Sequence, residues 1–415
     1  MQLSDLKGEK LGICVSGGLD SRTVTHRLIE AGADVLGFTA DLGQPDETDI
    51  NDVVERMRPA GADTVVVDLK EAMAEACFMM LRSQAMYDGG YWSTTGIARA
   101  VTVHGLVREM EKRGCTVLVH GATGRGNDQI RFERYTNTLA PAMKVYAPWR
   151  DPTMLAQFPG RKQMAEYLQQ HGMEAKIAKK RYSTDANLAG LSHEAEDLED
   201  LETGCLIVEP VMGVWPHDAP DEKEALTVRF ERGRCIAING ESVTPLQAML
   251  RANEIGGRNG IGLSNALENR VIGTKSRGVY EAPGLELLGF CLRAVFQTTM
   301  DRRSTGLFHA MSRLIAEQIY DARLFDPGAQ AALAGVDVFA QYATATVRVL
   351  LYRGNIYFDA LSDCPHSLYN PADASMEASD GLDPTSAQGF VEVLQCEASA
   401  LANAGQIANP FWSLD

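Results

Sequence analysis

Although the 415-residue sequence contains eight cysteines, it has no Cys-x-x-Cys pair. The cysteines stand at positions 14, 77, 115, 205, 235, 291, 364 and 396. This scatter disfavours both a zinc knuckle and a disulfide framework. The sequence also lacks an apolar run of about 18 residues, so it predicts no transmembrane helix. Residues 1–10 are polar and charged, without the apolar core of a secretion signal, so we expect a cytoplasmic protein.

Basic residues are in the minority in this chain. Lysine and arginine total 39 against 55 aspartates and glutamates, and the formal net charge is −16. Affinity for nucleic acid depends largely on clustered lysine and arginine, so we expect no nucleic-acid partner and only local anion sites. Hydrophobic residues make up 45% and charged residues 23%, which is typical of a soluble globular protein. The length favours two domains and an appendage.

Residues 1–150 alternate between strand-like and helix-like segments. The strand-like segments span 11–15, 34–39, 64–68 and 116–120, and the helix-like segments span 22–31, 49–59, from 71 onward, and from Gly96 toward 112. This alternation predicts a parallel sheet with helices on both faces. Ligands bind such sheets beyond the carboxyl ends of the strands, so we expect the loops at 16–21, 39–44 and 121–128 to meet at one crevice.

The later part of the chain predicts a second domain, of the α+β class. Residues 158–171 have a polar helical pattern, and strand-like segments follow at 226–230, 235–238 and 344–352. The segments 346–352 and 356–360 both alternate in polarity, which predicts a hairpin joined through residues 353–355. Residues 362–385 predict an extended segment before a final helix at 386–404. This arm either reaches a neighbouring subunit or folds back on its own domain.

The sequence SGGLDS at 16–21 stands between a predicted strand and a predicted helix. Adjacent glycines allow successive N–H groups to turn toward an anion, and the helix adds its positive N-terminal end. No lysine closes the turn, so it differs from the phosphate loop of kinases and GTPases and suits a reaction that releases pyrophosphate. The alternative is an ordinary turn in which Asp20 or Ser21 caps the helix.

A second glycine cluster, GATGRGND, follows the strand at 116–120. It offers close backbone approach, a hydroxyl, an amide and a carboxylate, which suits an amino acid bound beside a nucleotide. Arg131 comes four residues after Asn127, so both project from one face of a helix that begins here. Arg131 is placed to fork onto a substrate carboxylate. The alternative is a surface loop in which Arg131 pairs with a structural carboxylate.

On these and further blocks, the chain resembles the argininosuccinate synthases, members of the N-type ATP pyrophosphatase family. The matching blocks are SGGLDS at 16–21, FTADLGQPDE at 38–47, YWSTT at 91–95, GATGRGND at 121–128, YSTDANLAGLSHEAEDLE at 182–199, EIGGRNGIG at 254–262 and ENRVIGTKSRGVYEAPG at 268–284. They occur in the order found in the family, and together they make the signal strong.

The resemblance implies a fold, an organisation and a reaction. It implies an α/β nucleotide-binding domain of the adenine nucleotide alpha hydrolase type at 1–172, an α+β synthetase domain at 173–362, and a C-terminal arm with an oligomerisation helix at 363–415, assembled as a homotetramer. It also implies ATP-dependent ligation of citrulline and aspartate through a citrullyl-adenylate, with release of AMP and pyrophosphate. ATP is the co-substrate, and Mg²⁺ stabilises charge on the phosphates.

The resemblance further implies a role for individual residues, with no protein ligand to a metal. ATP is expected at Cys14, Val15, Ser16, Gly17, Gly18, Leu19, Asp20, Ser21, Arg22, Ala40, Gly121 and Asp185. Aspartate is expected at Thr123, Asn127 and Asp128. Citrulline is expected at Tyr91, Thr95, Asn127, Arg131, Ser183, Ser192, Glu194, Glu268 and Tyr280. The expected catalytic residues are Asp20, Asp128 and Arg131.

Several of these residues also have purely structural interpretations. Ser183 and Asp185 are suited to capping a helix that Asn187 enters. Glu194 belongs to an acidic stretch, at 193–202, that is typical of a solvated helix face. Tyr91 and Tyr280 are suited to a core or an interface. Glu268 and Arg277 are suited to a structural ion pair. His120 and His193 are expected to be structural.

Three residues depart from the family pattern. Arg22 replaces a serine after the first loop, and its cation either clasps the departing pyrophosphate or extends into solvent. Ser93 and Gly96 replace an asparagine and a proline, and the loss of proline loosens that turn. These departures leave open a related ligase that joins a different ureido or carboxyl substrate to an amine. Two further classes of function are alternatives. A tRNA-thiolating enzyme would need a basic face and a reactive cysteine arrangement, and the sequence has neither. A nucleotide sensor would bind ATP without turnover.

Overall fold

The computed structural model describes residues 1–88, 90–175, 181–377 and 381–408. The chain divides into two compact units, Met1–His366 and Ser367–Asp415. No helix among the described residues combines the length and the apolar character that spanning a membrane requires.

The N-terminal part of the first unit is a five-stranded sheet flanked by helices. Its strands are β1 (Lys10–Cys14), β2 (Asp34–Asp41), β3 (Thr64–Asp68), β4 (Val117–Val119) and β5 (Lys144–Tyr146). Its helices are α1 (Leu19–Glu30), α2 (Asn51–Met57), α3 (Lys70–Ser83), α4 (Thr94–Lys112), α5 (Asp128–Leu139), α6 (Pro152–Gln157) and α7 (Arg161–Gln170). The strand order is β3-β2-β1-β4-β5, with every pairing parallel, which confirms the predicted α/β class.

The strand order reverses between β1 and β4. In a doubly wound sheet this is the point where the connecting loops separate and leave a crevice for a ligand. The loop of residues 16–21 follows β1, and the glycine-rich loop of residues 121–128 follows β4. The two motifs identified in the sequence therefore flank the crevice of the sheet.

Both faces of this sheet are buried, and the alternation of side chains along β1 shows how. Leu11 and Ile13 pack in the same cluster as Leu28 of α1, on one face. A side chain at Gly12 would face the other side of the sheet, where its Cβ atom would lie 2.6 Å from Met110 Cγ of α4. Only glycine permits α4 to lie this close to the strand.

The remaining strands of the first unit form two antiparallel sheets. The strands are β6 (Ser183–Asn187), β7 (Gly190–Glu194), β8 (Glu224–Glu231), β9 (Arg234–Ile238), β10 (Glu241–Ser242), β11 (Leu263–Asn269), β12 (Lys275–Glu281), β13 (Ala345–Tyr352) and β14 (Asn355–Ser362). Their orders are β11-β12-β7-β6 and β10-β9-β8-β13-β14. The accompanying helices are α8 (Pro245–Arg258), α9 (Pro283–Thr299), α10 (Arg302–Tyr320) and α11 (Pro327–Ala340). The α+β prediction for this part is confirmed.

Two local predictions need correction. The predicted helix entered by Asn187 is wrong, because residues 183–187 are strand β6, paired with β7. Pairing with β7 imposes the extended conformation on these residues. The turn between the two strands is held by a hydrogen bond of 2.9 Å from the N–H of Leu188 to the carbonyl of Leu42, which follows β2. In the confirmed β13–β14 hairpin, Asn355 was predicted to lie in the turn but is the first residue of β14, opposite Tyr352.

The second unit contains α12 (Pro371–Ala374) and α13 (Ser386–Asn403). The final helix was predicted at 386–404, so its position is confirmed to within one residue. In the segment predicted to be extended, 362–385, the structure shows the end of β14 and the short helix α12, and residues 378–380 lie outside the described residues.

Candidate active site

The loop of residues 16–21 has the geometry of an anion cradle. Gly17 adopts a φ of +74°, which a side chain rarely permits. The N–H of Ser16 donates to Ser21 Oγ at 3.1 Å, which closes the turn. Gly18 is the N-cap residue of α1, so capping by Asp20 or Ser21 is wrong. The first N–H groups of α1 are therefore left to face a ligand.

Of three arginines near this loop, two lie beside it and the third is bound to another part of the protein. Arg56 lies over Gly17, where a Cβ atom would come within 2.6 Å of its Nε, and it pairs with Glu47 at 2.8 Å. Burial raises the pKa of the Asp20 carboxyl, and the positive charge of Arg161 opposes that rise. The guanidinium of Arg22, in contrast, donates to the carbonyl of Glu174 at 2.7 Å, so it is tied to the protein rather than extended into solvent.

Cys14, Val15 and Ala40 lie at the carboxyl ends of β1 and β2. The N–H of Val15 continues the pairing with the carbonyl of Phe38, 2.9 Å away. Burial raises the pKa of the Cys14 thiol to about 12, although the charge of Arg99 acts in the opposite direction. The thiol is therefore neutral and unreactive. This region contributes backbone groups and the shape of the crevice.

A cleft of 520 Å³ lies next to the second glycine loop. Its volume is typical of a small-molecule site. The sequence-predicted residues that line it are Tyr91, Thr95, Gly121, Thr123, Asn127, Asp128, Arg131, Ser183, Asp185, Ser192, Glu194 and Glu268. Tyr280 lies just behind the wall, with its hydroxyl donating to Glu268. The loop of residues 16–22 and Ala40 are not part of this wall.

An arginine that the sequence reasoning missed, Arg99, connects the two sides of the cleft. It extends from α4, donates from Nε to Asp128 Oδ2 at 2.9 Å, and also pairs with Asp185 of β6. Arg131 binds the other oxygen of Asp128 at 3.1 Å. Burial favours the neutral form of Asp128, but the charges of Arg99 and Arg131 outweigh it and lower its pKa. Burial raises the pKa of Asp185 despite Arg99.

Arg131 is held in place by a second missed residue, Tyr320, at the end of α10. The guanidinium lies 5.0 Å from the centre of the Tyr320 ring, and its Nε donates to the Tyr320 carbonyl at 3.2 Å. The amide of Asn127 donates to the Tyr320 hydroxyl at 3.0 Å. Arg131 does pair with a carboxylate, that of Asp128, but it is only 4% exposed, so the pair is not a surface ion pair. The arrangement presents a fixed guanidinium to the cleft.

Tyr91 and Tyr280 belong to a small aromatic cluster with Tyr320. The rings of Tyr91 and Tyr280 are 4.1 Å apart, and Tyr87 stacks on Tyr320 at 3.8 Å. The core interpretation of Tyr91 and Tyr280 is therefore correct, and Tyr91 also reaches the cleft.

Two glutamates form the acidic part of the wall. Glu194 ends strand β7, so its interpretation as a solvated helix face is wrong. Burial raises its pKa to about 7, with further contributions from the negative charges of Glu268, Asp128 and Asp185. Burial also raises the pKa of Glu268. Arg270, which lines the cleft, opposes both shifts.

Neighbouring residues have structural contacts. Arg277 donates to the carbonyls of Thr203 and Asp200, at 2.7 and 3.0 Å, and to Asn265, which accounts for it without a pair to Glu268. His193 is fully buried and lies 2.7 Å from Glu281, as expected for a structural histidine.

The departures at Ser93 and Gly96 compensate each other. Ser93 adopts a φ of +46° before α4, and a Cβ atom on residue 96 would lie 2.4 Å from its Oγ. Glycine at 96 thus accommodates serine at 93. Neither residue lines the cleft, whereas Thr95 between them does.

The missed residues differ in how far sequence could have indicated them. Arg99 is four residues after Thr95, so the helical spacing placed both on one face of α4. Arg270 lies inside a matched block. Tyr320 gave no signal, because it lies beyond the last block and reaches the site only through packing of α10.

Comparison with known proteins agrees with this geometry. Residues 10–174 match the model of the arginosuccinate synthase N-terminal HUP domain, and residues 182–400 match that of the arginosuccinate synthase C-terminal domain. The chain is 37% identical to an argininosuccinate synthase of Thermotoga petrophila and 38% identical to one of Thermotoga maritima, in each case over 93% of this chain and 95% of the relative. The chain belongs to the argininosuccinate synthase family.

Proposed function

We propose that the protein joins L-citrulline to L-aspartate at the expense of ATP, forming argininosuccinate, AMP and pyrophosphate. The observation that carries the proposal is the cleft beside the second glycine loop, in which a fixed guanidinium, hydroxyls and two glutamates converge. The cleft adjoins the point where the parallel sheet offers a nucleotide crevice. The relatives named argininosuccinate synthase match nearly the whole chain.

ATP is proposed to bind along the ends of β1, β2 and β4. The N–H groups of residues 16–21 and the N-terminus of α1 hold the pyrophosphate end, with Arg56 and Arg161 as nearby cations. Gly121 and Asp185 line the cleft, and we propose that they contact the nucleotide there. Positive charge at these positions stabilises the negative charge that develops as pyrophosphate leaves.

Mg²⁺ is proposed to accompany the nucleotide. Among the described residues, no group of three potential ligands surrounds the loop of residues 16–21. Magnesium commonly takes only one or two carboxylates together with phosphate oxygens and water, and Asp20 is the carboxylate available here. The ion would supply charge neutralisation on the phosphates.

Citrulline is proposed to occupy the cleft. Arg131 uses Nε and Nη1 within the protein, and the rest of its five-donor fork is available to a carboxylate. Ser183 and Ser192 offer hydroxyls, and Glu194 and Glu268 offer acceptors for the ammonium and ureido nitrogens. These contacts orient the ureido oxygen toward the nucleotide.

The reaction then requires two displacements. The ureido oxygen attacks the α-phosphorus, the bond to the bridging oxygen breaks, and its electron pair leaves with pyrophosphate. The amine nitrogen of aspartate, held by Thr123, Asn127 and Asp128, attacks the ureido carbon, and the bond to AMP breaks as the nitrogen loses a proton. Asp128 binds both Arg99 and Arg131, so it fixes the arginine that is proposed to bind citrulline, and we propose that it also faces the amine of aspartate.

An assay of purified protein tests the proposal. AMP, pyrophosphate and argininosuccinate should form only when ATP, citrulline and aspartate are all present, and omission of any one should abolish all three products. Formation of ADP, or no coupling of the two amino acids, would contradict it.

A related ligase for another substrate is not favoured. Arg22 is bound to Glu174, and Ser93 and Gly96 do not line the cleft, so none of the three departures alters its wall. In a panel of ureido and carboxyl compounds, citrulline should give the fastest pyrophosphate release.

A further inference from the structure

A cluster of metal-ligating side chains lies outside the cleft, between α1 and the C-terminal end of α7. It contains His26 and Glu30 of α1 and His171, which follows α7. One nitrogen from each histidine and one carboxylate oxygen of Glu30 all lie within 4.8 Å of one another. No step proposed above uses these residues.

The hydrogen bonds around Tyr167 fix the orientation of the cluster. The Tyr167 hydroxyl has one proton, and an ionised Glu30 only accepts, so the hydroxyl donates to Glu30 Oε2 at 2.5 Å. The same hydroxyl must then accept from His26 Nδ1 at 2.7 Å. His171 Nδ1 faces the carbonyl of Tyr167 at 2.8 Å and must donate to it. Both rings therefore carry a proton on Nδ1.

With both Nδ1 atoms protonated, no proton is left for the contact between His171 Nε2 and Glu30 Oε1. In a neutral ring, His171 Nε2 has a lone pair, yet it lies 3.1 Å from Glu30 Oε1, which also presents a lone pair. Two acceptors at this distance need a positive charge between them. Either a proton or a metal ion can supply it.

We propose that His26, Glu30 and His171 bind a divalent transition-metal ion, with zinc as the best fit. Two imidazoles and one carboxylate suit zinc, whereas magnesium and calcium prefer oxygen ligands throughout. The i, i+4 spacing of His26 and Glu30 places both donors on one face of α1. Tyr167 supplies outer hydrogen bonds to all three ligands, as is usual around metal-binding histidines.

The ion would join the end of α1 to the chain after α7. A second link between these segments is already present, because Arg22 of α1 donates to the carbonyl of Glu174. Since α1 begins at the loop of residues 16–21, the metal would stabilise the helix that carries the anion cradle. Three protein ligands leave the fourth tetrahedral position to water.

The test is zinc titration of the full-length protein after chelator treatment, with a competing chromophoric chelator. We expect one zinc ion per chain and a higher melting temperature with zinc. Tyr167→Phe removes hydrogen bonds to the ligands and should lower the zinc affinity roughly 10–100-fold. His26→Gln and His171→Gln each remove a ligand and should lower the zinc affinity more. His217→Gln, at an exposed histidine beside Asp218, is the matched control and should bind as the wild type does.

X-ray absorption of the zinc-loaded protein gives a second readout, which should show two imidazole ligands and no sulfur. If His171→Gln does not fold, Glu30→Gln takes its place in the titration. Equal zinc affinity of the wild type and the ligand variants, or a cysteine-containing shell, would overturn the proposal. Absence of zinc binding by the folded wild type would show that only a proton lies between His171 and Glu30, and would also overturn it.

Discussion

Arg99 contacts two carboxylates, Asp128 and Asp185, and all three side chains are largely buried. Replacement by methionine leaves both carboxylates without their shared cation. Removal of one partner from a buried ion pair typically costs about 3–5 kcal/mol. We expect Arg99→Met to lower the free energy of unfolding by about this amount, as measured by urea denaturation.

The matched control for Arg99 is Arg251→Met, which removes an arginine from an exposed pair with Glu241. Such surface pairs contribute roughly 0–1 kcal/mol. An equal loss of stability in the two variants would contradict the role assigned to Arg99.

Glu194 makes the stability of the protein depend on pH. Its pKa rises from 4.5 to about 7 on folding, so between these values the folded state holds a proton that the unfolded state releases. The resulting stabilisation is complete below pH 4.5 and is lost as the pH rises through 7. At 1.36 kcal/mol per pKa unit, the loss is about 3 kcal/mol.

Glu194→Gln removes this dependence. The unfolding free energy of the wild type, relative to that of the variant, should therefore fall between pH 4.5 and 8 in urea titrations. Glu222→Gln removes an exposed carboxylate as the matched substitution. A constant difference between wild type and Glu194→Gln across this range would contradict the argument.

At the scale of the element, the loop between β1 and α1 depends on its backbone conformation. Gly17→Ala introduces a Cβ atom at a φ of +74° and 2.6 Å from Arg56. We expect the KM for ATP to rise at least about tenfold, the factor equivalent to 1.4 kcal/mol of lost binding. Steady-state kinetics at saturating citrulline and aspartate measure it.

Gly8→Ala provides the control for backbone strain. Gly8 has a similar φ, +79°, but a Cβ atom there meets nothing within 4 Å. Both variants should lose about 1–2 kcal/mol of stability, and only Gly17→Ala should change the KM for ATP. Equal KM values would show that the loop does not hold the nucleotide.

The elements differed in how well sequence predicted them. Strand β3 was predicted at its observed bounds, because a run of valines between polar residues is typical of a strand. Strand β6 was missed, because its sequence, STDAN, has low strand propensity. Its conformation is imposed by pairing with β7, so that Asp185 lies opposite Ser192. Site residues within motifs were predicted, whereas Tyr320 depends on tertiary packing.

At the scale of the whole molecule, the proposed tetramer and the domain boundaries at 172 and 362 remain predictions, as does a cytoplasmic location. Helix α13 has only two charged residues, Glu392 and Glu397, and its Phe390 and Leu394 share a face. We propose that this face contacts a second copy of the chain. Leu394→Asp should then reduce the assembly from a tetramer to a smaller species in sedimentation velocity.

Ser399→Asp, on the opposite face of α13, introduces the same charge and should leave the sedimentation coefficient unchanged. If Leu394→Asp also sediments as the wild type does, α13 is not the assembly element.

The two faces of the parallel sheet are completed by different parts of the chain, and this has a consequence for synthesis on the ribosome. One face is covered by α1 and α7, within the first half of the chain. The other face packs on α4, and the core that α4 shares is completed by β8 and α9, which are translated much later. A nascent chain that ends after α7 therefore has a nearly complete nucleotide crevice, while the core around α4 still lacks β8 and α9. At cellular concentrations, ATP would stabilise that intermediate by mass action before the amino-acid cleft exists.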